Sequence, residues 1–265
     1  MKAAFIINDF ETMNLEKDTS IFLIKEAQRN NIDTYAFDTS DILVEDSKIK
    51  ATVNEVSFKA NSGYEHSLSA KTIFNLKDFD FVINRLNPPF NKEYLYLTNL
   101  LETFGIEAVN PPKALRELNE KLSILNFPDL APKTIVTTSL SEIRNFVKKN
   151  ERAVLKPLDG MGGKSIFYLS SEDKNLNVIW ENVTKNGKNQ VMVQEFVKAA
   201  QQIIPFLKQH GIYFAGADML GDYISELNIT SPTCLQEIYN YSECNPGDIF
   251  WKDLIKLNKS GNKSS

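Results

Sequence analysis

The feature that most restricts how this chain can fold is Lys156-Pro157-Leu158-Asp159-Gly160-Met161-Gly162-Gly163-Lys164-Ser165. A lysine closes one apolar run, Ala153 to Lys156, and a glycine-rich loop leads into the next, Ser165 to Leu169. Two strands joined this way set a full positive charge beside a backbone free to turn its amides toward an anion. The triplet Gly163-Lys164-Ser165 invites comparison with the phosphate loop G-x-x-x-x-G-K-S. That pattern needs glycine where Leu158 stands and a helix where a strand follows. The chain is therefore not a nucleotide-binding protein of that type. Taken alone, the stretch reads equally well as a glycine-rich hairpin with an incidental lysine.

The rest of the chain alternates strand and helix, which predicts an α/β fold. Ala3 to Ile7 is a continuous apolar run ending at Asn8-Asp9, as in a buried parallel strand that opens onto a loop. A helix from Thr19 to Arg29 follows, with Asp18 or Thr19 able to cap it. Strands are expected at Thr34 to Phe37 and Phe79 to Asn84, edge strands or a hairpin within Glu45 to His66, and a helix over Asn91 to Phe104 ended by Gly105. Lys113 to Phe127 is expected as one helix reaching Pro128. The pattern changes near Asn119, giving an N-terminal α/β domain over 1–118, a second domain over 119–245 and a C-terminal tail over 246–265. The end of that tail, Leu257 to Ser265, is rich in Lys, Asn, Gly and Ser and reads as frayed.

Composition limits the partners. With 42% hydrophobic and 24% charged residues the chain can bury a core, and a net charge of −4 excludes a broad nucleic-acid footprint. An anionic ligand has to be held locally. Two cysteines, Cys234 and Cys244, do not make a disulfide framework. The short apolar run at the start and the absence of a run of roughly 18 apolar residues give the expectation of a cytoplasmic protein without a membrane span.

Three further groups carry chemistry. Asp218, Glu226 and Asn228 are oxygen donors, and Glu226 and Asn228 stand two apart on an expected strand, so they share a face. Such donors suit magnesium, although three scattered polar residues on a hairpin are also what a solvated face looks like. Lys121 reads on its own as a surface lysine of a solvated helix. The strand Val191 to Phe196 could present Gln194 and Glu195 to a nucleotide base, or be a plain core strand.

Together these segments resemble the bacterial glutathione synthetases, members of the ATP-grasp fold. The resemblance is carried by Asn119-Glu120-Lys121-Leu122, the Lys156 to Gly163 stretch and Glu226-Leu227-Asn228-Ile229-Thr230-Ser231-Pro232-Thr233-Cys234, and extends to Leu15 through Ser20 and Asn84 through Phe90. It implies a pre-ATP-grasp N-terminal α/β domain followed by an ATP-grasp domain. Lys121 and Lys156 would bind ATP phosphates, Gly160, Met161, Gly162 and Gly163 would close over them, and Gln194, Glu195, Phe196 and Val197 would form the adenine hinge. Asp218, Glu226 and Asn228 would hold magnesium or manganese, with Glu226 bridging two ions, and Lys17, Asp18, Ser20 and Arg85 would line the γ-glutamylcysteine side. The implied reaction phosphorylates the cysteinyl carboxylate with ATP, and glycine's amine then attacks the acyl phosphate. No residue is singled out as a protein nucleophile. A homo-oligomer is compatible with the sequence.

The resemblance has a gap. Between Phe196 and Tyr213 the family places several more strands, with arginines that grip phosphate and substrate, whereas here Val197-Lys198-Ala199-Ala200 runs directly into an expected helix, Gln201 to His210. Three or four strands with turns amount to roughly 40 residues. No arginine follows Arg152. Three readings stay open: a working ligase with a reduced second subdomain, an ATP-binding relative with impaired turnover, and another carboxylate-amine ligase on the same fold.

Overall fold

The computed structural model describes residues 1–59, 63–87, 90–159, 166–195, 203–220 and 223–261. The chain divides into two compact units, one formed by Met1–Arg116, His210–Ala215 and Ile229–Ser265, the other by Glu117–Gln209 and Gly216–Asn228.

The first unit opens with β1 (Lys2–Ile6), α1 (Thr19–Arg29), β2 (Asp33–Phe37), β3 (Ile42–Glu45), β4 (Lys48–Phe58), β5 (His66–Leu68), β6 (Thr72–Asn75), β7 (Phe81–Asn84), α2 (Lys92–Thr103), β8 (Ala108–Val109) and α3 (Pro112–Glu117). The apolar run at the start becomes β1, which pairs in parallel with β2 on one side and β7 on the other, and β7 pairs in parallel with β8. The polar segment after β2 turns antiparallel, with β3, β5 and β6 all pairing β4. Asp18 caps α1 by accepting from the Ser20 amide at 2.7 Å, leaving Ile21, Leu23, Ile24 and Ala27 fully buried against the sheet.

The helix expected over Lys113 to Phe127 is broken in two. α3 stops at Glu117 and a 3-10 turn runs from Leu122 to Asn126. The break comes from Asn119, whose side-chain oxygen accepts from the amides of both Lys121 and Leu122, offering the backbone a turn in place of a helix.

The second unit continues with β9 (Thr134–Thr137), α4 (Leu140–Asn150), β10 (Arg152–Pro157), β11 (Phe167–Ser170), α5 (Leu176–Val183), β12 (Val191–Glu195), α6 (Ile204–Gln209), β13 (Gly216–Leu220) and β14 (Tyr223–Asn228). β11, β10, β12 and β9 form one antiparallel sheet in that order, and β13 and β14 form a separate two-stranded one. Ser139 caps α4, and Ile143 and Val147 bury against Ala153, Leu155, Val191 and Val193 on one face of the larger sheet.

Residues 246–261, expected as the start of a tail, form α8 (Pro246–Gly261), which follows α7 (Leu235–Tyr241). The reason is apolar. Phe250, Trp251 and Leu254 recur at helical spacing and enter the first unit's core, where Trp251 is fully buried and donates its indole N–H to the Leu23 carbonyl at 2.8 Å. Phe5 and Phe81 meet its ring edge-on at 6.1 and 5.6 Å.

Candidate functional site

The register of β10, β12 and β9 sorts their side chains. Opposed residues share a face, so Val136, Met192 and Lys156 point one way together with Thr134, Gln194 and Val154, while Ile135, Val193 and Leu155 point into the core. Lys156 thus projects from the face that α4 and α5 do not cover. It is only 4% exposed, and its amine donates to the Ser225 carbonyl at 3.3 Å. Burial pushes its pKa below the usual lysine value, the charge of Lys121 acts in the same direction, and Glu226 and Asp218 oppose it.

Lys121 is not the surface residue its sequence context suggests. It is 2% exposed, and its amine donates to Glu226 Oε1 at 3.4 Å. Asn119 sets this geometry twice over, restarting the chain at Lys121 and donating from Nδ2 to the Leu158 carbonyl at the start of the glycine loop. The Leu227 amide donates to the Glu120 carbonyl, which fixes β14 beside Lys121. Two buried ammonium groups therefore meet adjacent residues of β14, Lys121 the Glu226 carboxylate and Lys156 the Ser225 carbonyl.

Glu226 and Asn228 lie two apart on β14, and Asp218 sits directly opposite Glu226 in the β13–β14 register, so the three oxygens share a face. Ile224, beyond the register shift between Asp218 and Met219, is fully buried with Met192 and Ile124. Two carboxylates and an amide oxygen fit a hard divalent cation that completes its shell from water and phosphate. Among the described residues there is no cluster of three or more His, Cys, Asp or Glu, since the third donor here is an amide.

Gln194 is fully buried, donating from Nε2 to Thr134 Oγ1 at 3.2 Å, and its Oε1 meets no donor among the described residues. The Glu195 side chain lies on the opposite face of β12, paired with Lys133 at 3.0 Å. Gly160, Met161, Gly162, Gly163, Phe196 and Val197 lie outside the described residues.

In the first unit, Asp18, Ser20 and Arg85 come together. Arg85 follows β7, is 3% exposed and donates from Nε to Ser20 Oγ at 3.2 Å, beside the cap that Asp18 makes. The Phe214 ring lies 5.5 Å from its guanidinium carbon, and its Nη1 is buried without an acceptor among the described residues. Burial lowers its pKa from the usual arginine range to about 10, against the opposing charge of Asp18. Lys17 is exposed on the turn that leads into α1. Phe214 and Asn110, which holds the Phe214 backbone, escape a reading of motifs, because their roles rest on contacts more than 100 positions apart.

The sequence model of the prokaryotic glutathione synthetase N-terminal domain matches residues 1–116, and that of the family's ATP-grasp domain matches 120–204 and 198–243. The chain belongs to the prokaryotic glutathione synthetase family. Among its relatives are the glutathione synthetases of Vibrio parahaemolyticus, 32% identical over 292 residues with 90% of this chain and 92% of that one covered, and of Wigglesworthia glossinidia brevipalpis, 30% identical over 311 residues with 97% and 98% covered. In the first alignment 90% of 265 residues is about 239, so of the 292 aligned positions on the order of 50 stand opposite no residue of this chain. The ATP-grasp match is likewise in two stretches that meet at residues 198–204. Solved structures agree on the fold. An ATP-grasp ligase from Chryseobacterium gregarium, in complex with ADP and a leader and core peptide, has a TM-score of 0.62 at 14% identity with 97% of each chain covered. A macrocyclase from Microcystis aeruginosa bound with its precursor peptide has a TM-score of 0.66 at 12% identity, covering 97% of this chain and 100% of that one. The chain is an ATP-dependent ligase of the glutathione synthetase family, and ATP and magnesium are what that family uses. Its substrates are small molecules. No helix among the described residues is long and apolar enough to cross a membrane.

Proposed function

We propose that the chain joins γ-glutamylcysteine to glycine at the expense of ATP, giving glutathione, ADP and phosphate. The observation that carries this reading is that buried Lys121 pairs with Glu226 while buried Lys156 donates to the carbonyl of the neighbouring Ser225, on the hairpin that also carries Asp218 and Asn228. Two fixed cations in a low-dielectric setting are suited to the charge that spreads over a phosphoryl group in transfer. Gln194, whose buried carbonyl oxygen meets no donor among the described residues, would serve the base end of the nucleotide. Asp218, Glu226 and Asn228 would hold the divalent ion, which when bound neutralises phosphate charge and fixes the geometry of the triphosphate. While Lys121 holds Glu226, the donor set is incomplete. Arrival of the triphosphate gives the lysines other anions and frees the carboxylate, so metal and nucleotide should bind together.

Arg85 supplies the anion-binding group on the peptide side. Its planar fork suits a carboxylate, Ser20 fixes its orientation, and Nη1 is left for substrate. Lys17 adds an exposed charge nearby in sequence. No side chain is cast as a nucleophile, because positioning and electrostatics suffice once ATP activates the carboxylate. Exposed free Cys234 and Cys244 accord with a reducing cytoplasm. Assembly into a homo-oligomer fits the same reading.

Incubation with ATP, magnesium, γ-glutamylcysteine and glycine should yield ADP and glutathione in equal amounts by mass analysis. Lys156→Ala should weaken ATP binding in calorimetry, and Glu226→Gln should abolish manganese relaxation enhancement in the presence of nucleotide. ADP formation without glutathione would point to a different carboxylate acceptor. Unchanged nucleotide affinity in Lys156→Ala would remove the lysine from the site.

A further inference from the structure

Asn110, directly after β8, is 3% exposed and uses all four of its side-chain bonding positions on two distant segments. Nδ2 donates to the carbonyls of Phe214 and Ile229, both at 2.6 Å, and Oδ1 accepts from the amides of Tyr213 and Phe214 at 3.1 and 3.0 Å. Those segments flank the β13–β14 hairpin. Phe214 lies two residues before its first residue, Gly216, and Ile229 follows its last, Asn228. A primary amide has two donors and two acceptor sites, so this one is saturated by the chain entering and leaving the hairpin.

We infer that Asn110 is a positioning residue, setting the spacing and register of the two hairpin ends and thereby the alignment of Asp218, Glu226 and Asn228. The inference rests on the proposed metal role of those three. The geometry is demanding because a two-stranded hairpin is marginal by itself. Its ladder already shifts register between Asp218 and Met219. A slip of one residue at the base would send Glu226 and Asn228 to the other face. Isolated backbone pairing at 213–214 and 229 would leave that slip cheap, whereas one rigid amide bonded to both segments fixes a single arrangement. The same side chain holds the backbone of Phe214, whose ring lies over Arg85.

The test uses the full chain with Mn2+ as probe, measured by electron paramagnetic resonance of free Mn2+ in the presence of ADP. Asn110→Ala removes all four bonds. Asn110→Asp keeps the shape but turns two donors into acceptors facing carbonyl oxygens. In both, the dissociation constant for Mn2+ should rise about tenfold or more, as for other residues that support metal ligands. ADP affinity without metal should stay within error of wild type. A merely structural role would lower the number of binding-competent molecules without changing the constant of those that remain. Wild-type affinity for Mn2+ in both folded variants overturns the inference while leaving the metal site standing. A wild-type protein that binds no Mn2+ with ADP overturns the metal reading and this inference with it. Should either variant not fold, hydrogen exchange on the wild type decides: the Tyr213 and Phe214 amides should be protected as long as those within β13 and β14, and rapid exchange at the pair overturns the proposal.

Discussion

At the scale of single residues, the site is dominated by cations taken out of water. Lowering Arg85 from the usual arginine range to about 10 corresponds to a burial cost on the order of 3 kcal/mol. Below pH about 10 the guanidinium is charged in both the folded and the unfolded chain, so that cost is constant there; stability recovers only as pH rises above about 10. Replacing Arg85 with Met removes the charge and keeps most of the volume. The variant should melt a few degrees higher at neutral pH while its KM for γ-glutamylcysteine rises by at least an order of magnitude, a split that differential scanning calorimetry and steady-state kinetics would read. A lower melting temperature would mean that the Ser20 and Phe214 contacts outweigh desolvation. Residue identities disclosed part of this. Lys156 announces itself by its place at a strand end, and Asp18 by its place before a helix. The burial of Lys121 could not be read, since it depends on β14 passing beside a turn 105 residues away.

At the scale of elements, apolar periodicity foretold β1, α1, α2, β10 and β12, where one face meets a core. It misled where side chains compete with the backbone or where a few large residues anchor a polar segment. Asn119 ended a helix that the pattern continues, and α8 formed over 246–261, where a tail was expected, because Phe250, Trp251 and Leu254 enter the core. Trp251→Ala should cost about 3–5 kcal/mol in urea unfolding, whereas a dispensable tail would lose almost nothing. At Gly247, near the start of α8, an added Cβ would stand 2.7 Å from Glu26 Cγ and 2.8 Å from Phe22 Cε1. Gly247→Ala should therefore destabilise by about 1–3 kcal/mol, and an unchanged denaturation midpoint would show that α1 and α8 can separate freely.

At the scale of the molecule, the chain matches its relatives nearly end to end yet is shorter by on the order of 50 positions. Fewer groups around the phosphates leave them in a higher dielectric, which weakens each electrostatic contact. Turnover should fall below the ordinary range of roughly 1 to 1,000 per second, and inserting a relative's segment between Ala200 and Gln201 should raise kcat by orders of magnitude with less change in ATP affinity. A kcat within that range for the 265-residue chain would show the extra segment to be dispensable. The seat of Trp251 carries a different implication, for synthesis. The first unit closes only when α8 arrives, after β1 through β8 have already left the ribosome. At about 5–20 residues per second that delay is roughly 7 to 30 seconds. Throughout it the face formed by Phe5 and Phe81 is open to water, so the nascent N-terminal sheet is the species a chaperone would meet, and a polypeptide cut short before Trp251 would be a substrate for proteolysis even with every site residue present.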